Sequence, residues 1–261
     1  MNVSHPPLPI SVSDVHLRYN QLEVLKGVSL SINDTEGVVL LGANGCGKST
    51  LMRALNGLER PQHGEIKILG ESVIKARGTA LRGIRRRMGY VFQQFNLIPQ
   101  LTAFQNVLFG VLGQRRLGLL NCLSTLATAS DREKAMGCLE RVGMASRAHH
   151  RPTELSGGQQ QRVAIARMLM QDPEIVIADE PVASLDPKGG REVLDLLWEI
   201  VRERNLAMLC TLHQLHLARH YADRIIGLRE GVTVIDRQSA DIEDQDLSDL
   251  YSSAETAEQS P

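Results

Sequence analysis

The sequence lacks an excess of charge of either sign. Twenty-nine lysine and arginine residues stand against thirty aspartate and glutamate residues, which leaves a formal net charge of −1. A surface built mainly to hold nucleic acid would carry a clear basic excess. We therefore expect that nucleic acid is not a partner of this chain.

Long apolar runs are also missing. No stretch approaches the roughly 20 apolar residues that a helix needs to span a bilayer. The first ten residues, MNVSHPPLPI, have neither the basic start nor the apolar stretch of a secretion signal. We therefore expect a chain that stays in the cytosol.

Closely spaced cysteine pairs and internal repeats are absent as well. The cysteines are scattered along the chain at Cys46, Cys122, Cys138 and Cys210. This spacing suggests neither a zinc site nor a disulfide framework, so we expect reduced thiols. Without a repeat, we expect one copy of a single functional unit.

Short apolar runs alternate with helical patterns along the chain. Residues 1–9, with three prolines, predict a disordered lead-in. The segments ISVSDVHLRY and LKGVSLSI alternate like paired strands, whereas GVVLLG, EIVIADE and LAMLCTLH are continuous apolar runs. Continuous apolar strands between helices such as REVLDLLWEIVRER predict a parallel sheet covered on both faces. The chain is therefore predicted to have an α/β fold.

The remaining segments complete this organisation. Residues 97–160 lack such strands and predict a helical subdomain inserted in a domain that covers residues 10–237. RIIGLREGVTVID predicts a final hairpin that turns at Glu230 and Gly231. Residues 238–261 predict an acidic tail.

A glycine-rich loop lies between a predicted strand and a predicted helix. GANGCGKST, residues 42–50, fits the pattern G-x-x-x-x-G-K-[ST] of a phosphate-binding loop. Its backbone N–H groups would surround phosphate oxygens, Lys48 would reach the β- and γ-phosphates, and Ser49 would bind magnesium. The candidate nucleotide-binding residues are Gly42, Ala43, Asn44, Gly45, Cys46, Gly47, Lys48, Ser49 and Thr50.

Two carboxylates end a second apolar strand, in IVIADE. Because the carboxyl ends of parallel strands face the ligand crevice, Asp179 is expected near magnesium and Glu180 beside the γ-phosphate. A carboxylate in that place can orient water or take its proton, so Glu180 is the candidate general base.

Another segment, LSGGQQQR, places two glycines at the start of an otherwise good helix. Glycine leaves the first backbone N–H groups uncovered, so an anion could approach them. Together with the phosphate loop, IVIADE, SLDP and TLHQ, in this order, the segment resembles the nucleotide-binding subunits of ATP-binding-cassette (ABC) transporters. The resemblance covers about residues 10–236. It implies a P-loop NTPase fold with a RecA-like core sheet, an antiparallel β subdomain and an inserted helical subdomain.

The resemblance also implies roles for residues outside the phosphate loop. Tyr19 matches the aromatic residue that stacks on adenine. Gln93 matches the glutamine that contacts magnesium, with Gln94 as the second candidate. His213 matches the histidine that holds the attacking water together with the general base. Across a head-to-tail dimer, the ATP held by one subunit would meet Ser156, Gly157, Gly158, Gln159 and Asp186 of the other.

A cycle and a set of partners follow from the same resemblance. ATP and Mg²⁺ would close a pair of identical chains, and hydrolysis would release it. Separate permease subunits would convert this motion into transport, with a substrate-binding protein acting indirectly. The chain would then lie at the cytoplasmic face of the inner membrane as a peripheral subunit.

The family members that the sequence resembles most are phosphonate-import ATPases. The segment YVFQQFNLIPQLTAFQNVLFG and the long stretch 113–132 carry this likeness. Polar amino-acid importers share FQQFNL and remain an alternative, as do importers of phosphite and non-transport ATPases of the same type. A phosphate-loop kinase would leave LSGGQ and His213 unused, and an interaction module without turnover remains open.

Overall fold

The computed structural model describes residues 7–114, 127–243, 245, 246, 250 and 251. Most of the predicted lead-in, residues 115–126 of the long stretch that resembles phosphonate-import ATPases, and residues 252–261 of the predicted tail lie outside these ranges. The chain divides into two units, of which the first is Met1–Ile84 with Asn205–Pro261 and the second is Arg85–Arg204. Within the described ranges, no helix combines the length and the apolar character needed to cross a membrane.

Strands and helices follow each other through both units. In chain order they are β1 (Ile10–Tyr19), β2 (Leu22–Ile32), β3 (Gly37–Leu41), α1 (Lys48–Leu55), β4 (His63–Ile68), β5 (Glu71–Ser72), α2 (Gly78–Arg87), β6 (Met88–Val91), α3 (Ala103–Leu108), α4 (Ala129–Arg141), α5 (Gly157–Met170), β7 (Ile175–Ala178), α6 (Pro187–Glu203), β8 (Ala207–Thr211), α7 (Leu215–Tyr221), β9 (Arg224–Arg229) and β10 (Val232–Gln238). Helix α2 contains the point at which the first unit gives way to the second.

The first unit contains an antiparallel sheet with the strand order β2-β1-β4-β5. The antiparallel pairing of β1 with β2 confirms the paired strands predicted from alternating residues. Along β1, Ile10 and Val12 are buried while Ser13 is exposed. Strands β4 and β5 were not predicted, since HGEIKI is short and lies among turn residues. This sheet supplies Tyr19 at the end of β1.

Strand β3 is the centre of the parallel part of the first unit. It pairs in parallel with β8, as the continuous apolar runs predicted. On its other side it pairs in parallel with β9, which the sequence predicted only as part of the final hairpin. All of its side chains are buried, and Val38 to Leu41 are each 0% exposed. The predicted hairpin is confirmed as β9 and β10, which pair antiparallel around Glu230 and Gly231.

The second unit combines a parallel strand pair with helices. Strands β6 and β7 run in parallel, and α5 packs against α3, α4 and α6. Val163, Ile165 and Ala166 on α5 are each 0% exposed and form the centre of this packing. In the described parts of 97–160 the structure contains helices and turns and no strand.

Candidate functional site

The phosphate loop turns between β3 and α1 around the buried side chain of Lys48. This side chain is 4% exposed, and its Nζ donates hydrogen bonds to the carbonyl oxygens of Gly42, at 2.8 Å, and Ala43, at 3.1 Å. Helix α1 begins after Gly47, which provides no side-chain cap. The first N–H groups of α1 therefore have no capping side chain between them and an approaching anion.

Close packing on one side and open space on the other shape this loop. A Cβ atom on Gly42 would lie 2.2 Å from the carbonyl oxygen of Leu228 in β9 and 2.6 Å from Sγ of Cys46. A Cβ atom on Gly45 would meet nothing within 4 Å. The loop is therefore seated tightly on β9, while its tip at Asn44 and Gly45 is exposed.

Cys46 is a buried member of the loop rather than an exposed nucleophile. Its side chain is 7% exposed, and burial raises the pKa of its thiol even though the positive charge of Lys48 opposes the shift. Its backbone N–H donates to Ala43, and its carbonyl accepts from Gly231. The residue therefore helps to hold the loop in place through its backbone.

Tyr19 lies beside the end of the phosphate loop in the first unit. Its ring is 38% exposed, and its hydroxyl interacts with Glu59 and with Thr50, the last residue of the loop motif. Burial is the main cause that raises the pKa of this hydroxyl, and the hydrogen bond with Glu59 raises it further. The structure thus brings the predicted adenine-contacting ring next to the loop.

His213 emerges at the same sheet edge as the phosphate loop. Leu40 of β3 lies opposite Thr211 of β8 in the parallel register, so the residues that follow both strands leave the sheet at one end. His213 is exposed there. The first unit therefore gathers the phosphate loop, Tyr19 and His213.

In the second unit, Gln93 and the two carboxylates follow a neighbouring pair of parallel strands. Val91 of β6 lies opposite Ala178 of β7, and the backbone N–H of Asp179 donates to the carbonyl of Val91 at 2.9 Å. Gln93 and Glu180 each come two residues beyond this last pair. Glu180 has a φ of 48°, a left-handed conformation that is strained for a residue with a side chain.

The start of α5 is a closed capping box. The Ser156 hydroxyl accepts from the Gln159 N–H, and the Gln159 side chain accepts in turn from the Ser156 N–H at 3.0 Å. A Cβ atom on Gly157 would come within 3.0 Å of the Leu185 side chain, so glycine allows the segment SLDP to approach. The first glutamine of the QQQ run therefore fixes the backbone around the two glycines.

Asp186 caps a second helix start beside the first. Its carboxylate accepts from the Gly189 N–H at 3.0 Å at the beginning of α6. A cleft of about 520 Å³ lies between the two helix starts. Its lining includes Ser156, Gly158, Asp186, Lys188 and Arg162. The lining also contains the carboxylates of Asp186 and Glu192, and Arg162 pairs with Glu192 at 3.2 Å, so Lys188 and the start of α5 are the features that favour an anion here.

Two further residues of α5 hold the segment around Gln93, and the sequence analysis missed both. Gln161 donates to the carbonyls of Phe92, at 3.3 Å, and Pro181, at 2.7 Å. Arg167 donates to the carbonyls of Phe95, at 3.0 Å, and Asn96, at 2.5 Å. Burial lowers the pKa of the Arg167 guanidinium. In the sequence, only the run of three glutamines at residues 159–161 indicated such contacts.

Each unit contains oxygen donors of the kind that Mg²⁺ binds. Ser49 at the start of α1 offers an exposed hydroxyl, while Gln93 and Asp179 offer an amide and a carboxylate oxygen. Such hard oxygen ligands suit Mg²⁺, which usually binds through one or two protein groups together with phosphates. Within the first unit, the buried lysine and the uncapped start of α1 suit the phosphate loop to a polyphosphate.

Comparisons with known proteins identify the family. The family model described as ABC transporter matches residues 25–183. A phosphonates import ATP-binding protein of Frankia casuarinae is 51% identical over 228 residues, which are 87% of this chain and 89% of that protein. A phosphate-import ATP-binding protein of Mycolicibacterium smegmatis is 46% identical over 244 residues, which are 94% of this chain and 92% of that protein.

A solved structure extends the likeness to the fold. It is a dimeric ATP-binding cassette in a post-hydrolysis state bound to ADP and Pi, and it matches with a TM-score of 0.74 and 34% identity over 88% of this chain and 98% of its own. The match confirms the predicted α/β fold of the P-loop NTPase type. The chain therefore belongs to the ABC transporter family.

Proposed function

We propose that the chain is the ATP-hydrolysing subunit of an importer for phosphonate or a related phosphorus oxyanion. The observation that carries the ATPase assignment is the phosphate loop, in which a buried lysine and an uncapped helix start converge. The relatives that are 46–51% identical and named as phosphonate or phosphate importers support the cargo.

Each predicted residue receives a role in this proposal. Lys48 leaves the loop carbonyls to neutralise the β- and γ-phosphates, and the N–H groups of α1 bind their oxygens. Glu180 orients the attacking water and accepts its proton, while His213 holds the water and the γ-phosphate. Tyr19 stacks on the adenine. When bound, Mg²⁺ would be held by Ser49, Gln93 and Asp179 and would neutralise the charge that develops on the phosphates.

A second copy of the chain completes the site. In the cleft between Ser156 and Asp186, the start of α5 and the ammonium group of Lys188 suit the γ-phosphate of a nucleotide held by the other copy. The dimeric state of the solved relative supports this arrangement. Shifting a pair from mostly open to mostly closed takes roughly 5.5 kcal/mol of differential binding, which two nucleotides gripped from both sides supply.

The remaining partners are a permease and, through it, a substrate-binding protein. The word import in the names of the relatives supports a membrane partner. The chain would therefore sit at the cytoplasmic face of the membrane as a peripheral subunit. Its opening and closing would drive alternating access in the permease.

Substitution of Glu180 tests the hydrolysis mechanism. Glu180→Gln keeps the shape of the side chain and removes the base, so this variant should bind ATP, form a stable dimer and hydrolyse ATP very slowly. Glu133→Gln, an exposed residue of α4, is the matched control and should hydrolyse ATP at the wild-type rate. Phosphate release and size-exclusion chromatography with ATP are the measurements. If Glu180→Gln hydrolyses ATP at the wild-type rate, Glu180 is not the general base.

A growth experiment tests the cargo. The gene is deleted in a host without a second transporter for these anions, and growth is compared on phosphonate, phosphite, hypophosphite or phosphate as the sole source of phosphorus. Loss of growth on phosphonate or on a related anion is expected. Unimpaired growth on every source would refute the proposed cargo class.

A further inference from the structure

Gln161, the last glutamine of the QQQ run, is buried inside the second unit. The residue is 0% exposed. Its Nε2 donates to the carbonyl of Pro181 at 2.7 Å and to the carbonyl of Phe92 at 3.3 Å. Its Oε1 is buried and has no hydrogen-bond partner among the described residues. One side-chain amide on α5 therefore reaches two separate loops.

The orientation of this amide follows from its neighbours. A rotation by 180° would place Oε1 against two carbonyl oxygens, so that three acceptors would face each other without a proton. The observed orientation gives both hydrogens of Nε2 an acceptor and leaves Oε1 without a donor. Burial of an unsatisfied oxygen costs folding free energy. The two hydrogen bonds from Nε2 stabilise the fold, and the unpaired Oε1 offsets part of that gain.

Both acceptors directly adjoin residues of the proposed catalytic machinery. Phe92 precedes Gln93, and Pro181 follows Glu180. Glu180 has the strained φ of 48°, and its carbonyl accepts from the Ala183 N–H at 3.2 Å in the turn that contains Pro181. A strained conformation persists only where its surroundings hold it. The hydrogen bond from Gln161 to the Pro181 carbonyl is one of the contacts that hold this turn.

We propose that Gln161 is a positioning residue for ATP hydrolysis, which rests on the role proposed for Glu180. It joins the helix that begins at the LSGGQ segment to the backbone beside Glu180 and beside Gln93. The seating of α5 thereby fixes the directions in which these two side chains point. Gln161 touches neither substrate nor water and acts only through the backbone of its neighbours.

Substitution by methionine tests this role. Gln161→Met keeps an unbranched side chain of similar size and removes both donors. Because small misplacements of catalytic groups lower rates strongly, kcat should fall on the order of 10-fold to 100-fold. The KM for ATP should stay within about 2-fold, since the phosphate loop is unchanged and uniform binding is retained. Equal loss in kcat and in nucleotide affinity, or an unchanged kcat, would overturn the proposal.

The other end of the same helix provides a matched control. Gln171 at the end of α5 also donates through Nε2 to backbone carbonyls, those of Arg85 at 2.7 Å and of Arg86 and Met88 at 2.9 Å. Gln171→Met removes at least as many hydrogen bonds from α5, but far from Glu180. It should lower the urea midpoint as much as Gln161→Met does and should leave kcat within about 2-fold. If kcat falls to a similar extent in both variants, Gln161 has only a structural role and does not position the catalytic residues.

Two further variants separate the possible failures. If Gln161→Met does not fold, Gln161→Asn replaces it. Asparagine keeps an amide but is one methylene too short to reach both carbonyls. For this variant too, kcat should fall while the KM for ATP stays nearly unchanged. In a Glu180→Gln background, Gln161→Met should lower the residual rate by a smaller factor than in wild type, because only the effect through the backbone beside Gln93 remains. An undiminished effect in that background refutes action through Glu180. If Glu180→Gln alone turns over like wild type, the proposed base is wrong, and the inference falls with it.

Discussion

Substitution of Gly42 by alanine measures how tightly the phosphate loop is seated on β9. The new Cβ would lie 2.2 Å from the carbonyl oxygen of Leu228 and 2.6 Å from Sγ of Cys46. Relief of the contact with a backbone oxygen requires a shift of about 1 Å in a closely packed region. Overpacking of this kind costs roughly 1–3 kcal/mol.

Gly45→Ala in the same loop is the control. Gly45 has a φ of 79°, and its Cβ would meet nothing within 4 Å. The strain of a left-handed alanine costs about 1–2 kcal/mol. Restriction of the unfolded chain offsets roughly 0.4–1 kcal/mol of that cost. The control therefore loses little stability. Gly42 has a φ of 154°, so Gly42→Ala bears backbone strain of its own as well as the steric term.

Thermal unfolding followed by circular dichroism gives the comparison. At about 2–4 °C per kcal/mol for a chain of this size, the Tm of Gly42→Ala should lie about 2–12 °C below that of Gly45→Ala. Gly42→Ala should also weaken binding of a fluorescent ATP analogue, because the loop has moved. Equal Tm values, or a lower Tm for Gly45→Ala, would refute the argument from loop packing.

Three further predictions concern a cap, a thiol and an ion pair. Asp186→Ala should lose about 1 kcal/mol of unfolding free energy in urea titrations because the cap on Gly189 is removed, whereas Asp186→Asn should keep most of it. Burial raises the pKa of the Cys46 thiol, so iodoacetamide at mildly alkaline pH should alkylate it more slowly in the native chain than in the urea-unfolded chain. Mass spectrometry measures the two rates, and equal rates would contradict this prediction. Arg87 lowers the pKa of Glu174, so this pair stabilises the protein at neutral pH and its contribution disappears as pH falls through that lowered pKa. The stability difference between wild type and Arg87→Gln should therefore shrink on acidification, and a difference independent of pH would contradict it.

Most of what the sequence predicted depends on neighbours in the chain. The strand, loop and helix around Lys48 follow from an apolar run, three glycines and a helical pattern within about twenty residues. The hairpin at Glu230 and Gly231 follows from a turn between two apolar segments. Local propensity and local spacing are sufficient for such features.

What escaped prediction depends on contacts between distant segments. Gln161 and the carbonyl of Phe92 are 69 positions apart, and Arg167 and the carbonyl of Phe95 are 72 apart. No periodicity in the sequence distinguishes an inward-facing amide from a solvated one in a run of three glutamines. The left-handed backbone at Glu180 is equally hidden, because glutamate carries no preference for that conformation.

The capped starts of α5 and α6 beside the cleft determine when the entropic cost of ordering them is incurred. Ser156 and Asp186 fix their backbone N–H groups through contacts within the chain itself. Conformational entropy is therefore lost once, when these helix starts become ordered during folding. It is not lost again each time a triphosphate binds. A partner subunit would bind a surface whose helix starts are already ordered. Its binding would therefore be the docking of two preorganised surfaces and would not include the ordering of a flexible segment.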